Sequence, residues 1–391
     1  MPAEPYQPVG SPKSDQLRQA PKVVLHDHLD GGLRPSTIVE LARETGYRGL
    51  PTYDPGELAA RIQEGARRRS LDLYLEMFSH TLGVMQTERA VYRVAAECAQ
   101  DLADDGVVYA EVRFAPELNT EGGVSLDGVV EAAMAGFRDG SESRGIRIGL
   151  LLCAMRTASR SLETAQLALR YRDRGVVGFD IAGAEAGHPP SDHLAAFDLL
   201  RRAGMPYTIH AGEADGLDSI REAVHTCGAR RIGHGIRIVD DIGEDGALGS
   251  LAAELRDRKI PLEQCPTSNV HIGAVPSIAA HPIGTLFDLG FRVTVNTDNR
   301  LMSGVSLSSE FDRCCRAFGW SWPEVHRLTT NAMEGAFLPA DQRREIISQV
   351  IDPWYAGLPG LREGKGLTPV PGFVSHPRHT VPDTERTSGP V

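Results

Sequence analysis

LHDHLDGG (residues 25–32) closes the first of eight short apolar runs in this 391-residue chain, and three later runs end in turns of comparable chemistry. Those turns read IHAGE (209–213), IGHGIR (232–237) and VNTDN (295–299). The runs themselves are VVLHDHL (23–29), VVYAEVRFA (107–115), IRIGLLLCAM (146–155), VVGFDIAG (176–183), PYTIHAGE (206–213), RIGHGIR (231–237), IPLEQCP (260–266) and FRVTVNTD (291–298). They are nearly continuous in apolar character rather than alternating, as parallel strands covered on both faces require. Helical periodicity separates them, at residues 87–104, 126–144, 161–174, 192–203 and 278–289. Eight strands alternating with helices predict a single (β/α)8 barrel. The longer stretch 35–85, between the first two strands, is expected to add helices over the barrel mouth. In such a barrel the active site lies at the C-terminal strand ends, and the polar turns all fall there.

Outward from this core, residues 21–355 form the barrel domain, and the proline-rich segments 1–20 and 356–391 are expected to be mobile tails. Hydrophobic residues make up 41% of the chain, and no apolar stretch reaches the ~18 residues of a membrane span. A net charge of −11 gives no support to a nucleic-acid or anionic-membrane partner, since both need a basic face. The run Arg67-Arg68-Arg69 is the local exception and reads as a solvated helix end, with contact to a substrate's 5′-substituent as the alternative. Nothing at the start resembles a secretory signal, so the protein is expected in the cytoplasm. The six cysteines include no C-x-x-C pair and fit reduced core thiols. No pattern in the chain bears on its oligomeric state.

His26 and His28 are one residue apart, so on a strand both side chains project to the same side and can hold one ion together. His210 comes from the opposite part of the barrel, and Asp298 closes the set with a hard oxygen. Three nitrogens and a carboxylate suit one zinc ion per chain and leave a position for water, although iron, manganese or cobalt could use the same ligands. Other zinc signatures are missing: there is no H-E-x-x-H, and no H-x-E followed by P-C-x-x-C. A two-metal site bridged by a carboxylated lysine has no candidate, because Lys13, Lys22, Lys259 and Lys365 all stand away from strand C-terminal ends.

Glu213 shares a loop with His210, three positions on. A glutamate aimed into a dry pocket beside a metal site can keep its proton near neutral pH and act as a general acid. Its alternative is a helix N-terminal carboxylate. His234, between Gly233 and Gly235, is either a fifth ligand or the base that holds the attacking water, and the complete tetrad favours the base.

Together LHDHLDGG, GFDIAG, HAGE, GHG, CPTSN and NTD, in this order over residues 21–338, resemble the adenosine deaminase family of the amidohydrolase superfamily. The resemblance implies zinc-dependent hydrolytic removal of the purine 6-amino group, turning adenosine or 2′-deoxyadenosine into the inosine product and ammonia. It implies metal ligation by His26, His28, His210 and Asp298, proton delivery to N1 by Glu213, and a His234 that orients the water and stabilises its ionised form. Substrate contacts are implied for His28, for Asp30 near the ribose 5′-hydroxyl, and for Gly183 as a main-chain donor to the purine. Tyr74, Phe78 and Met155 match apolar pocket positions. One position departs from the family pattern: Asn299 stands where a second aspartate is usual, which bears on substrate preference. A 5′-modified adenosine such as aminodeoxyfutalosine, or free adenine, is the alternative substrate. A non-catalytic barrel serving as a binding protein would have no physical need for both Glu213 and His234.

Overall fold

The computed structural model describes residues 12–358. Eight parallel strands run in sequence order: β1 (Lys22–His28), β2 (Val107–Phe114), β3 (Arg147–Met155), β4 (Val176–Ala182), β5 (Thr208–Ala211), β6 (Arg231–His234), β7 (Leu262–Gln264) and β8 (Val293–Val295). They hydrogen-bond as two four-stranded sheets, β1–β4 and β5–β8. Parallel bridges close both seams, Phe179 to Tyr207 between β4 and β5 and Asp27 to Asp298 between β8 and β1. At the second seam the His28 amide donates to the Asp298 carbonyl at 2.7 Å and the Asp298 amide to the His26 carbonyl at 2.9 Å. The expected barrel is therefore present. The strands of its second half are shorter than the apolar runs that announce them, because the polar ends of those runs turn away into the active-site loops.

Helices Glu88–Asp104, Leu126–Ser141, Ser161–Arg170 and Leu194–Arg202 form where the periodicity predicts them. The predicted helix 278–289 does not form in one piece. It splits into a 3-10 turn, Ile278–Ala280, and a short helix, Ile283–Asp288, because Pro282 lacks an amide hydrogen and cannot continue the first turn. The insertion contributes helices Pro35–Thr45, Pro55–Ala66, Leu71–Leu75 and Phe78–Leu82. The last two supply Leu71, Tyr74, Leu75, Phe78 and Leu82 to the cavity wall, so the insertion does roof the barrel mouth.

The N-terminal tail needs correction. Ser14–Gln19 is a helix whose Leu17 is fully buried, and the Lys22 ammonium donates to the Ala20 carbonyl at 2.8 Å and also to that of Leu17. Leu17 and Ala20, both fully buried, dock the segment. The rest of that tail (residues 1–11) and most of the C-terminal one (359–391) lie outside the described residues. Among the described residues no helix is long and apolar enough to cross a membrane.

Candidate active site

At the C-terminal end of the barrel, four side-chain atoms converge. His28 Nε2 lies 3.3 Å from His26 Nε2 and 3.3 Å from His210 Nε2, while Asp298 Oδ1 lies 3.4 Å from both His26 Nε2 and His28 Nε2. A tetrahedron with metal–ligand arms of 2.0 to 2.1 Å has edges of about 3.4 Å, so these separations fit a zinc-sized ion. The chemistry of the donors agrees. His26 Nδ1 is bonded to Glu263 Oε2 at 2.9 Å, and a carboxylate can only accept, so Nδ1 carries the hydrogen and Nε2 turns a lone pair inward. His210 Nδ1 lies 2.9 Å from Asp180 Oδ2, at an angle too bent for a full hydrogen bond but with the same polarity. Burial lowers the affinity of His210 for a proton and that of His28 much further. His26 goes the other way: against burial and the Arg113 charge, its bonds to Asp298 and Glu263 raise its pKa, so the cluster favours a positive charge among its four atoms. A looser grouping of His26, His210, His234 and Asp298, within 4.8 Å of one another, brings His234 to the edge of the same centre.

The backbone is bent to achieve this. His234 and Asp298 have φ of +61° and +56°, in the left-handed region that non-glycine residues rarely adopt, at a cost of roughly 1–3 kcal/mol each. His234 ends β6 and Asp298 lies in the turn just past β8, where each side chain must turn inward. Gly233 lets β5 and β6 approach closely, since a Cβ there would sit 3.1 Å from His210 Cα.

Beneath the four atoms lies an ionic layer inside the barrel. Fully buried Arg113 donates to Asp180 Oδ2 at 2.5 Å and to Glu263 Oε2 at 2.9 Å, the same two oxygens that face His210 and His26. Arg231 adds contacts of 2.6 Å to Glu263 and Glu111. One guanidinium thus holds both carboxylates that orient metal-facing histidines. The sequence reading assigned no role to Arg113, Asp180 or Glu263. The available signal was a charge inside a continuous apolar strand, which cannot be left unpaired in a core.

Glu213 is not a helix cap: the next helix, Leu217–Arg221, begins four residues later with Gly216 at its N-cap. Its carboxyl is buried, and burial, followed by the charges of Asp298 and Glu185, raises its pKa well above the usual carboxylate range. The shift favours the protonated form of the carboxyl. Its loop is pinned by Glu185, which accepts from the amides of Gly212 (2.6 Å), Glu213 (2.9 Å), Ala214 (2.7 Å) and Asp215 (3.1 Å) and from the Ser219 hydroxyl (2.6 Å). Glu185 is another residue the sequence alone did not reveal.

These groups face one cavity of about 270 Å³, lined by His28, Asp30, Tyr74, Phe78, Met155, Gly183, Glu213, His234, Asp298 and Asn299 among others. The structure thus gathers every sequence-predicted site residue at one place, with His26 just beneath. Asp30 does not cap the helix at Pro35, whose N-cap is Arg34. Its carboxyl is buried in the cavity wall, burial pushes its pKa up to about 7, and its Oδ1 has no hydrogen-bond partner among the described residues. Asn299 Oδ1 is likewise buried and unpartnered, and Gly31 is needed for its approach, since a Cβ there would fall 1.9 Å from that oxygen. None of Arg67, Arg68 and Arg69 lines the cavity. They follow the helix Pro55–Ala66, and Arg68 pairs with exposed Glu76 at 2.7 Å, as a solvated helix end should.

The sequence model of the adenosine deaminase family matches residues 21–353. The chain belongs to the adenosine deaminase family. It is 58% identical over 357 residues to adenosine deaminase 1 of Streptomyces coelicolor, covering 89% of this chain and 90% of that one. It is also 58% identical over 355 residues to the adenosine deaminase of Mycolicibacterium vanbaalenii, covering 88% and 98%. Among solved structures, adenine deaminase from Arthrobacter aurescens superposes with a TM-score of 0.78 at 27% identity, covering 86% of this chain and 99% of that chain. Arabidopsis ADAL complexed with IMP gives 0.76 at 28%, covering 88% and 99%. Family membership makes this a metal-dependent barrel of the amidohydrolase type, in agreement with the buried histidine–aspartate cluster.

Proposed function

We propose that this protein hydrolytically deaminates adenosine and 2′-deoxyadenosine, using one zinc ion per chain. The observation that carries the reading is the meeting, at one cavity, of four metal-spaced ligand atoms and the buried carboxyl of Glu213, whose pKa burial raises. A purine C6 resists attack by water until its ring nitrogen N1 is protonated. Glu213 supplies that proton, and a positioned acid contributes a factor on the order of 10² to 10⁴. Zinc held by His26, His28, His210 and Asp298 would supply the Lewis acidity that readies water near neutral pH. His234 faces the same space and orients the attacking oxygen. Water's oxygen adds to C6 as hydroxyl, its other proton replaces the one Glu213 gave to N1, and the 6-amino group leaves as ammonia with the hydroxyl hydrogen as the C6 carbonyl forms.

Asn299 offers its amide hydrogens to the acceptor N7, the Gly183 main chain faces the purine, and Asp30 receives the 5′-hydroxyl. His28 borders the substrate as well as the metal. The names of the relatives at 58% identity support adenosine as substrate, whereas the structural neighbours named for adenine or IMP are about half as similar in sequence. A 5′-phosphate would raise the Asp30 pKa further still and would find no lysine or arginine beside it among the described residues of the cavity wall, so a neutral 5′-hydroxyl suits this position better. The six buried, unbridged cysteines support a reducing, cytoplasmic setting.

An ammonia-release screen over adenosine, 2′-deoxyadenosine, adenine, AMP and 5′-substituted adenosines tests the substrate. Adenosine and 2′-deoxyadenosine should lead. Release confined to another member of the set would overturn the assignment. Metal analysis should find about one zinc per chain, with activity lost on chelation and restored by divalent metal. Full activity in metal-free protein would sink the mechanism.

A further inference from the structure

His281 lies outside the cavity wall, yet a line of hydrogen bonds connects it to His234, and every polarity in that line is dictated. It starts at the main-chain N–H of Ile283, which can only donate and sits 3.1 Å from His281 Nδ1. Pro282, with φ of −68°, turns that amide back over the preceding ring. His281 Nδ1 must therefore accept. The ring is buried, and burial lowers its pKa to about 3, so it is neutral and its single hydrogen sits on Nε2. That nitrogen is 3.1 Å from Asn269 Oδ1, which accepts. With its oxygen so engaged, Asn269 presents its amide nitrogen, which carries only hydrogens, to His234 Nδ1 at 3.2 Å. The two ends of an asparagine amide are ordinarily ambiguous, but here a main-chain donor two links away decides between them.

We propose that Asn269 and His281 are positioning residues that fix the ring tautomer of His234, so that its Nε2 carries the hydrogen and faces the site as a donor. A His234 in this form can neither ligate a metal through Nε2 nor take a proton there. It holds the attacking oxygen by donation and favours the negative charge that develops on it, in the manner of an oxyanion donor. His234 Nε2 also stands 3.5 Å from Glu213 Oε1, so both proton-bearing groups face the reacting atoms together. The assignment deepens the deaminase reading and rests on it for its chemical meaning, while the tautomer itself can be measured without turnover.

Protein labelled with 15N histidine, zinc-loaded and metal-stripped, reports the tautomer through the nitrogen shifts and proton couplings of His234, assigned by their loss in His234→Gln. Wild type should show an unprotonated, pyridine-type Nδ1 and a protonated, pyrrole-type Nε2 in both states. Asn269→Asp offers an acceptor only and should move the hydrogen to Nδ1. It should lower kcat by about 10²-fold, the range for losing one oxyanion donor, while KM changes little. His281→Gln, whose amide can replace the imidazole donor, should keep the wild-type tautomer and most of kcat. His281→Leu frees the Asn269 amide and should give both tautomers and an intermediate kcat. A hydrogen on Nδ1 in wild type overturns the proposal, and so does an Asn269→Asp protein with unchanged spectrum and kcat. If Asn269→Asp does not fold, the wild-type spectrum and the His281 pair decide by the same criteria. The expected tautomer in a wild type that deaminates no purine would leave this assignment standing and sink the deaminase reading instead.

Discussion

Replacing Glu213 by Gln separates proton delivery from every other contribution of that residue. The protonated carboxyl and the amide have nearly the same shape. The loop's anchorage runs through main-chain amides to Glu185, so the substitution leaves it intact. What is lost is a transferable proton, and the expected fall in kcat is ~10²- to 10⁴-fold. At about 1.36 kcal/mol per tenfold, that is about 2.7 to 5.4 kcal/mol of activation free energy. KM should change much less, because the amide fills the same space. Steady-state kinetics with adenosine, zinc content and thermal unfolding together form the assay.

Stability supplies an independent check of the same residue. Burial raises the native pKa of Glu213 above the unfolded value of about 4.3. Between those two values the native state binds more protons than the unfolded chain, so stability is full at the acid end and falls as pH rises, by up to about 1.36 kcal/mol per unit. Gln lacks that slope, so in metal-stripped protein the variant should gain stability relative to wild type as pH rises through the window. Unchanged turnover with zinc retained would refute the role of Glu213 as the acid. A flat stability difference across pH would refute its protonated, buried state.

Asn299→Asp should add a limb on which kcat/KM falls as pH rises through the new carboxyl's pKa, because only a protonated aspartate can donate to N7. Correspondingly, 7-deazaadenosine should react with wild type less favourably than adenosine by about 1 to 3 kcal/mol, and coincident pH profiles with a normally reactive analogue would remove Asn299 from the base. Glu185→Gln keeps most of its acceptor bonds if the amide nitrogen takes the Oε1 position, where the Ser219 hydroxyl can reverse, but the Gly212 amide is then left without a partner. The expected loss is roughly 1–3 kcal/mol of stability, read by denaturant unfolding, together with a lower kcat as the Glu213 loop loosens. An unchanged midpoint and kcat would mean that Glu185 does not hold the loop.

The fold and the reacting groups were legible in the sequence because each is a local pattern. Continuous apolar runs between amphipathic segments specify parallel strands, and a strand places His26 and His28 on one side whatever else surrounds it. The barrel then brings all strand ends together, so His210, Glu213, His234 and Asp298 could be grouped without coordinates. Helix breaks and the docked N-terminal helix were less legible, since Pro282, or Leu17 together with Ala20, decides them against the trend of the neighbours. What only the tertiary structure decided is the set of partners that give these groups their state. Arg113 meets Asp180 and Glu263 from strands 67 and 150 residues away in sequence. Glu185 reaches a loop 27 to 30 residues on. Asn269 and His281 matter through the His234 ring they orient. Those relations depend on distance, burial and hydrogen-bond polarity in three dimensions. A sequence can therefore name the atoms that do the chemistry, while packing decides which of them hold a proton and where they point.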